Sequence, residues 1–195
     1  MKYLAHLISI VTNPLFVALP TFLIIAFATA PTATQALLWW GITVTSISFV
    51  PFLFVQRGVR RGVLSDYHVS RREQRFVPMM VALGSVALGF IALVLLRASV
   101  QLLATIVAVI LAIVLSAIIT VALAWKISLH LVGMTGAVTV CVLLFGPRLL
   151  VLTPLIVLVA WARWKVGAHT WLQALAGIVL AIAVTLAVYW VPGIR

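Results

Sequence analysis

The amino-acid sequence predicts an all-α fold, a polytopic integral membrane helical bundle with about six to seven transmembrane helices. Composition is the first reason: of 195 residues, 66% are hydrophobic and 8% are charged, whereas soluble domains are about half apolar and about a quarter charged. The mean hydropathy of +1.33 is the second. Third, the apolar residues fall in runs about as long as a membrane helix requires, with no interval large enough for a soluble domain.

Hydropathy predicts seven spans, and their boundaries lie near residues 8–29, 35–56, 77–97, 101–125, 127–146, 148–163 and 171–191. We interpret the chain as a single membrane-embedded domain, 1–195, in which an N-terminal helical hairpin, 1–56, precedes a core, 57–185. Residues 131–145 alone would form a helix of only about 22 Å, against a membrane core of about 30 Å. We therefore expect the fifth helix to begin within 127–130 and the sixth to continue to Trp164.

The charge balance is strongly basic, with 13 Lys and Arg residues against two acidic ones and a net charge of +11. The aromatic stacking platforms and basic amphipathic face of a nucleic-acid-binding protein are missing, so no nucleic-acid partner is expected. In a membrane protein the same excess indicates loops that face anionic headgroups, or a pocket for an anionic ligand.

The cations also predict an orientation in the plasma membrane. Alternating the spans places only Arg97, Arg148 and Arg195 on one face. The positive-inside tendency then makes the opposite face cytoplasmic. The cations of that opposite face are Lys2, Arg57, Arg60, Arg61, Arg71, Arg72, Arg75, Lys126, Arg163 and Lys165.

Three segments of the basic face carry residues suited to chemistry, and the first is 65–78. Arg72 and Arg75 are three residues apart, so both guanidinium groups would lie on one side of a helix that starts here. The planar fork of arginine matches phosphate oxygens. The alternative is a basic loop that contacts lipid headgroups and fixes the topology.

The second segment runs from Lys126 to His130. If this stretch is helical, the i,i+4 spacing places the lysine and the histidine on one face, with the hydroxyl of Ser128 nearby. A lysine in an apolar run is costly, which favours a functional role. A lysine that reaches the interface and a histidine in an interhelical hydrogen bond would give the same pattern.

The third segment is 163–177, in which Arg163 and His169 flank a short turn that contains Gly167. Gln173 follows His169 by one helical turn, close enough to hydrogen-bond the imidazole ring. A ring held in one tautomer is suited to act as nucleophile or base. Anchoring at the membrane interface is the alternative. It would explain the tryptophans in and beside this segment, Trp161, Trp164 and Trp171, but not Arg163, His169 and Gln173.

These segments resemble the three signatures of the type 2 phosphatidic acid phosphatase family, in a divergent bacterial branch. Arg163, five residues, His169, three residues and Gln173 resemble the third signature, in which the last position is aspartate. Ser128 and His130 match two positions of the second, Pro-Ser-Gly-His. Arg72, Arg75 and Pro78 loosely resemble the first. The resemblance covers about residues 65–185 of the chain.

The resemblance implies metal-independent hydrolysis of lipid phosphomonoesters without a cofactor. His169 would attack phosphorus to form a phosphohistidine, and His130 would protonate the leaving alkoxide and later activate water. Gln173 would orient His169. The scarcity of acidic residues agrees with a metal-free mechanism, because Asp66 and Glu73 alone make a poor magnesium site. The residues implied to bind the phosphoryl oxygens are Arg163, Lys126, Ser128 and Arg72 or Arg75.

Two departures from the family signatures leave two functions open. Gln173 lacks the charge of the aspartate it replaces, so slower chemistry is expected, and Leu129 replaces a glycine beside the phosphate. The first function is a lipid phosphatase acting on phosphatidate, a prenyl phosphate or a similar amphiphile. The second is a catalytically weak or inactive protein that binds a lipid phosphate or serves as a subunit of a membrane complex. The expected partners are the lipid phosphate and membrane lipids, and the sequence identifies no protein partner.

Overall fold

The computed structural model describes residues 1–67, 69, 71–191 and 193–194. In these ranges the chain is helical and forms no strand, which confirms the all-α prediction. Shorter helical turns are the π-helix Thr45–Phe49 and the 3-10 helices Arg72–Gln74 and Pro147–Leu152. The α-helices are α1 (Lys2–Val11), α2 (Pro14–Thr29), α3 (Ala33–Val44), α4 (Val50–Arg60), α5 (Phe76–Leu95), α6 (Val100–Ala122), α7 (Leu129–Phe145), α8 (Thr153–Lys165) and α9 (Trp171–Tyr189).

The helices are compatible with a multi-pass membrane protein. Among the described residues, five segments are long and apolar enough to cross a membrane, and α1 and α2 together would add a sixth, despite a bend of 47° between them. α7 has 17 residues and is about 25 Å long. The outer surface is apolar, as contact with lipid requires: Leu88, Leu95 and Val121 are each at least 64% exposed. The five segments of the described chain that are long and apolar enough to cross a membrane are Ala33–Arg60, Phe76–Leu95, Val100–Ala122, Pro147–Lys165 and Trp171–Tyr189.

The first span differs from the predicted continuous helix over 8–29. α1 begins earlier, at Lys2, and α2 starts afresh at Pro14. Asn13 caps α2, because its side-chain oxygen accepts a hydrogen bond of 3.0 Å from the Leu15 N–H. Proline suits the first helical position, since its missing N–H would have no partner there. Hydropathy could not predict this break because the chain stays apolar on both sides of it.

α7 lies at the centre of the bundle, where it contacts α9, α2, α8 and α6. Two glycines permit its close packing. A Cβ atom on Gly133 would lie 2.8 Å from Cβ of Pro14, and one on Gly177 of α9 would lie 2.9 Å from the carbonyl oxygen of Ser128. α2 and α9 therefore approach α7 more closely than helices with larger side chains at these positions would allow.

Three connections between helices meet at one end of the bundle, which we call the connection end: 61–75, 123–128 and 166–170. Arg75 Nη1 donates to the Ile127 carbonyl at 3.2 Å. Lys126 Nζ donates to the Ala168 carbonyl at 3.0 Å. These bonds join all three connections, so residues that are 52 and 42 positions apart lie side by side. The expected start of the fifth helix within 127–130 and the extension of the sixth to Trp164 both agree with the bounds of α7 and α8.

Candidate functional site

His130 lies in the first turn of α7 and is buried. Its Nε2 is 3.0 Å from the carbonyl oxygen of Ser9, on α1. A carbonyl oxygen only accepts, so Nε2 carries the proton in this contact. The backbone of α1 therefore fixes the orientation and tautomer of the ring.

Arg163 lies in the last turn of α8 and is 3% exposed. Its Nη1 donates to the hydroxyl of Ser9, the residue whose carbonyl accepts from His130. Burial of a guanidinium group is costly unless its donors find acceptors. Ser9 thus joins Arg163, from the third segment, to His130, from the second segment.

His169 lies in the connection between α8 and α9, and it is 6% exposed. Gly167 makes the preceding turn with φ of +71°, a backbone conformation that glycine adopts readily. The N–H groups of Ala168 and His169 both donate to the Arg163 carbonyl, at 3.1 and 3.3 Å. This turn closes the last turn of α8 and holds the histidine beside the arginine.

Gln173 was expected to orient His169, and its side chain also completes a capping box at the start of α9. Its Oε1 accepts from the Thr170 N–H at 3.2 Å, while the Thr170 hydroxyl accepts from the Gln173 N–H at 3.3 Å. The amide is near enough to the imidazole to raise its pKa slightly. Among the described residues, however, His169 Nδ1 is buried without a hydrogen-bond partner of normal geometry.

Arg75 is buried at the start of α5 and donates to two backbone carbonyls, through Nε to Val69 at 3.1 Å and through Nη1 to Ile127 at 3.2 Å. A single helix that carries both Arg72 and Arg75 does not form, because Arg72 belongs to the 3-10 helix that ends at Gln74, before α5 begins. The side chain of Arg72 lies outside the described part of the structure.

Lys126 and His130 do not share a helix face as predicted, because α7 begins only at Leu129. Ala124, with φ of +49°, turns the chain away from α6, so Lys126 lies in a non-helical connection. Its ammonium group nevertheless reaches the Ala168 carbonyl, next to His169. Ser128 precedes α7, and its N–H is 3.4 Å from the Gln173 carbonyl.

A cavity of about 270 Å³ opens beside these residues and continues between the helices. Arg75, His130, Arg163 and His169 all line it at the connection end. Further along, its walls are mostly apolar side chains of α2, α5, α6 and α7. The cavity therefore combines a cationic end with an apolar body, the shape of an amphiphile with an anionic head.

Unsatisfied polar atoms concentrate at the same end. In the described part of the chain, five buried side-chain polar atoms have no hydrogen-bond partner. Three of them belong to the predicted site: Ser128 Oγ, Arg163 Nε and His169 Nδ1. Buried polar groups normally have hydrogen-bond partners. The oxygen atoms of a bound ligand could supply the partners that these three atoms lack.

The electrostatics favour an anion. Burial, together with the charges of Arg163, Lys126 and Arg75, lowers the pKa of His169 to about 3. Burial also lowers the pKa of Lys126, as do the two nearby arginines, while Asp66 raises it. Because the charges of Lys126, Arg163 and Arg75 lie close together, a bound phosphate group would relieve their mutual repulsion. At neutral pH the imidazole of His169 is unprotonated, the state that a nucleophile requires.

The residues present do not suggest a metal site. Within the described ranges, no group of three or more His, Cys, Asp or Glu side chains is arranged to hold a metal ion.

Ser9 is the residue of this site that the sequence analysis missed. A lone serine in an apolar helix is usually bonded within its own helix, so it attracts no attention. One signal was available: Ser9 lies four residues after Ala5, and both are fully buried small residues on one face of an otherwise exposed helix. That face is the one that packs on α8.

Comparisons of this chain with protein-family models, with curated proteins and with solved structures found no match.

Proposed function

We propose that this protein is a membrane-bound phosphatase that hydrolyses lipid phosphomonoesters through a phosphohistidine intermediate, with the organisation of the type 2 phosphatidic acid phosphatases. One observation carries the proposal: Arg163, Arg75, His130 and His169 line one end of a cavity whose body is apolar and lies among apolar helices. A phosphate head would meet the cations, and an acyl or prenyl tail would replace lipid contacts with protein contacts.

The proposed reaction begins with His169. Its unprotonated imidazole attacks phosphorus, so a P–N bond forms while the ester P–O bond breaks. The leaving alkoxide takes a proton from His130, which must be in its protonated form for this step. His130 then removes a proton from water, and the resulting hydroxide attacks phosphorus, breaks the P–N bond and releases inorganic phosphate.

The cations would stabilise charge on the phosphoryl oxygens in the transition state. Arg163 is the strongest candidate, because its buried Nε has no partner in the described structure and its Nη1 is held by Ser9. Lys126 and Arg75 add charge at the same end. The hydroxyl of Ser128 would donate a further hydrogen bond, since it too is buried without a partner among the described residues.

A second candidate is a protein that binds a lipid phosphate without hydrolysing it. The observation that favours this alternative is the use of Gln173 in the capping box, which leaves Nδ1 of His169 without an acceptor among the described residues. Without such an acceptor, the positive charge that develops on the imidazole during attack is stabilised less. Such a protein would keep phosphate affinity and lose turnover.

We further propose that the connection end faces the cytoplasm of a cell whose plasma membrane holds the protein. Support comes from the ten cations predicted for this face against three on the other. A substrate would then enter from the inner leaflet.

The decisive experiment is phosphate release by the purified protein in nanodiscs. Phosphatidate, prenyl phosphates and alkyl phosphates are supplied separately, and the His169→Ala and His130→Ala variants are measured beside the parent protein. His6→Ala is the matched control, because His6 is an exposed histidine of α1 outside the site. We expect phosphate release to fall at least about a hundredfold in both site variants, the usual contribution of a positioned acid or base, and to be unchanged in the control.

Labelled substrate separates the two candidates. With a phosphatase, rapid acid-free quenching traps radioactive phosphate on the protein, and this label is lost in His169→Ala. Retained lipid phosphate binding with no release and no trapped label from any substrate would overturn the enzymatic proposal and favour the binding protein.

A further inference from the structure

The body of the cavity has a defined depth. On α7 it is lined by Gly133, Gly136, Ala137 and Val140, which are spaced i, i+3, i+4 and i+7 and so form one helical face. From His130 at the cationic end to Val140, ten residues of helix span about 15 Å.

A buried hydrogen-bonded group lies at the deep end of the cavity. Thr105 and Thr185 line the cavity there, and Tyr189 follows one turn later on α9. The Tyr189 hydroxyl lies 2.7 Å from the Thr105 hydroxyl and also donates to the Gln101 carbonyl at 3.2 Å. Tyr189 is only 1% exposed, so we take this buried group as the floor of the passage.

The depth of the cavity sets the length of a hydrocarbon tail that fits it. The zigzag of a saturated chain, with bonds of about 1.5 Å, advances about 1.3 Å per carbon. The depth therefore corresponds to about ten to twelve carbons.

Gly136 leaves the middle of this passage open. A Cβ atom built on Gly136 would meet no heavy atom within 4 Å, unlike one on Gly133, which would collide with Pro14. A glycine in a helix interior is destabilising relative to alanine by about 0.5–1 kcal/mol. Packing with a neighbouring helix, which accounts for Gly133, does not account for Gly136. The residue lies six positions after His130, about 9 Å along the helix.

We propose that this cavity is a length-selective site for the tail of a phosphate amphiphile. It takes a hydrocarbon tail of about ten to twelve carbons, and the missing side chain of Gly136 sets the usable depth. The inference rests on the proposed function, because it assumes that a phosphate head occupies the cationic end. Shorter tails leave part of the passage unfilled and lose dispersion contacts. Longer tails reach the Thr105–Tyr189 floor and must bend.

The test uses saturated alkyl phosphonates from hexyl to hexadecyl as non-hydrolysable probes. Binding to the protein in nanodiscs is expressed per amount of probe dissolved in the lipid, because partitioning into lipid also depends on tail length. We expect the tightest binding near decyl to dodecyl. In Gly136→Leu the optimum shifts to about seven carbons, and the dodecyl probe binds at least about tenfold more weakly.

The matched control is Gly84→Leu. Gly84 also has nothing within 4 Å of a built Cβ, but it is an exposed residue of α5 outside the cavity lining. Gly136→Ala serves as the milder variant if the leucine variant folds poorly, and the melting temperature of each variant is recorded. The inference is overturned if the optimum length is the same in Gly136→Leu and the parent, or if binding does not depend on length.

The outcome separates this inference from the proposed function. A length optimum that shifts in Gly136→Leu, with no phosphate released from alkyl phosphates, supports the tail site and refutes the phosphatase. Phosphate release that ignores tail length supports the phosphatase and refutes the tail site.

Discussion

Ser9 and Arg163 are 154 residues apart in the sequence, and the guanidinium group of Arg163 donates a hydrogen bond to the Ser9 hydroxyl. The carbonyl of the same serine holds His130. Ser9, on the N-terminal helix, therefore positions two side chains that line the cavity and follow it by 121 and 154 residues. No arrangement of the three signature-like segments by themselves would position the arginine and the histidine in this way.

Substitution Ser9→Ala is expected to lower kcat while the protein stays folded. It leaves one donor of a buried guanidinium group unsatisfied, at a cost of about 1–3 kcal/mol, and Arg163 can then shift away from His130. Phosphate release and melting temperature are the measurements. Thr12→Val is the control, since Thr12 directly follows α1 and its hydroxyl donates to the Ile8 carbonyl of that helix at 2.7 Å. Equal losses of activity in both variants would contradict a specific role for Ser9.

Two glycines of the bundle should respond in opposite ways to alanine. At Gly177 the new Cβ would lie 2.9 Å from the Ser128 carbonyl, so α9 must move and the protein should lose about 1–3 kcal/mol of stability. At Gly136 the space is open, and the higher helix propensity of alanine should add about 0.5–1 kcal/mol. Denaturant or thermal unfolding in detergent compares the two. Equal stabilities would mean that α7 and α9 are less tightly packed than the structure indicates.

Lys126→Met is expected to raise the pKa of His169 from its value of about 3, because one of the positive charges that lower it is removed. The depressed pKa also predicts the effect of pH on stability. An unfolded chain binds a proton at this histidine below about pH 6.5, whereas the folded protein resists it down to about 3. The contribution of His169 is therefore complete above the unfolded pKa and is lost as the pH falls between these values.

Nuclear magnetic resonance of nitrogen-labelled histidine measures this titration directly, with His169→Ala used to assign the signal. Lys165→Met is the control, since Lys165 is a lysine at the end of α8, four residues before His169, and does not contribute to the shift of the His169 pKa. An unchanged or lower His169 pKa in Lys126→Met would contradict the proposed arrangement of charges.

Gln173→Glu is expected to increase kcat by about tenfold, which corresponds to one unit of His169 pKa. Glutamate preserves the capping box and supplies the negative charge that stabilises the imidazolium form. Gln35→Glu is a matched control, because Gln35 occupies the same position after Thr32 at the start of α3 and also contacts its capping threonine. A slower Gln173→Glu variant, with Gln35→Glu unchanged, would show that the neutral amide suits this site better.

The orientation of the site is tested with single cysteines and a maleimide that does not cross membranes. Val63→Cys lies in an exposed part of the connection end, and Thr34→Cys lies at the exposed start of α3, at the opposite end. The natural Cys141 is buried and should give little background. In intact cells we expect Thr34→Cys to be labelled and Val63→Cys to be labelled only after permeabilisation. The reverse pattern would place the connection end outside the cell.

Hydropathy predicted the helices well because membrane spans are long and the polar breaks between them are few. It did not predict local backbone geometry. The helical pairing of Lys126 with His130 is wrong because Ala124 takes a left-handed conformation, which residues other than glycine seldom adopt. Gln173 lies close enough to the His169 ring to raise its pKa, and its Oε1 also accepts from the Thr170 N–H in the capping box. Which of two neighbouring donors makes the better-aligned bond to one acceptor is decided by angles, and residue spacing does not encode angles.

The position of Arg75 has a practical consequence for mutagenesis. Two of the five N–H groups of its guanidinium are bound to backbone carbonyls, one in each of two connections. The Arg75 side chain thus links two connections between helices and also provides a positive charge for a ligand. Replacing it with alanine removes a structural tie and a positive charge together, so the loss cannot be assigned to either. Lysine retains the charge without the fork, and the difference between the two variants isolates what the shape of the arginine contributes.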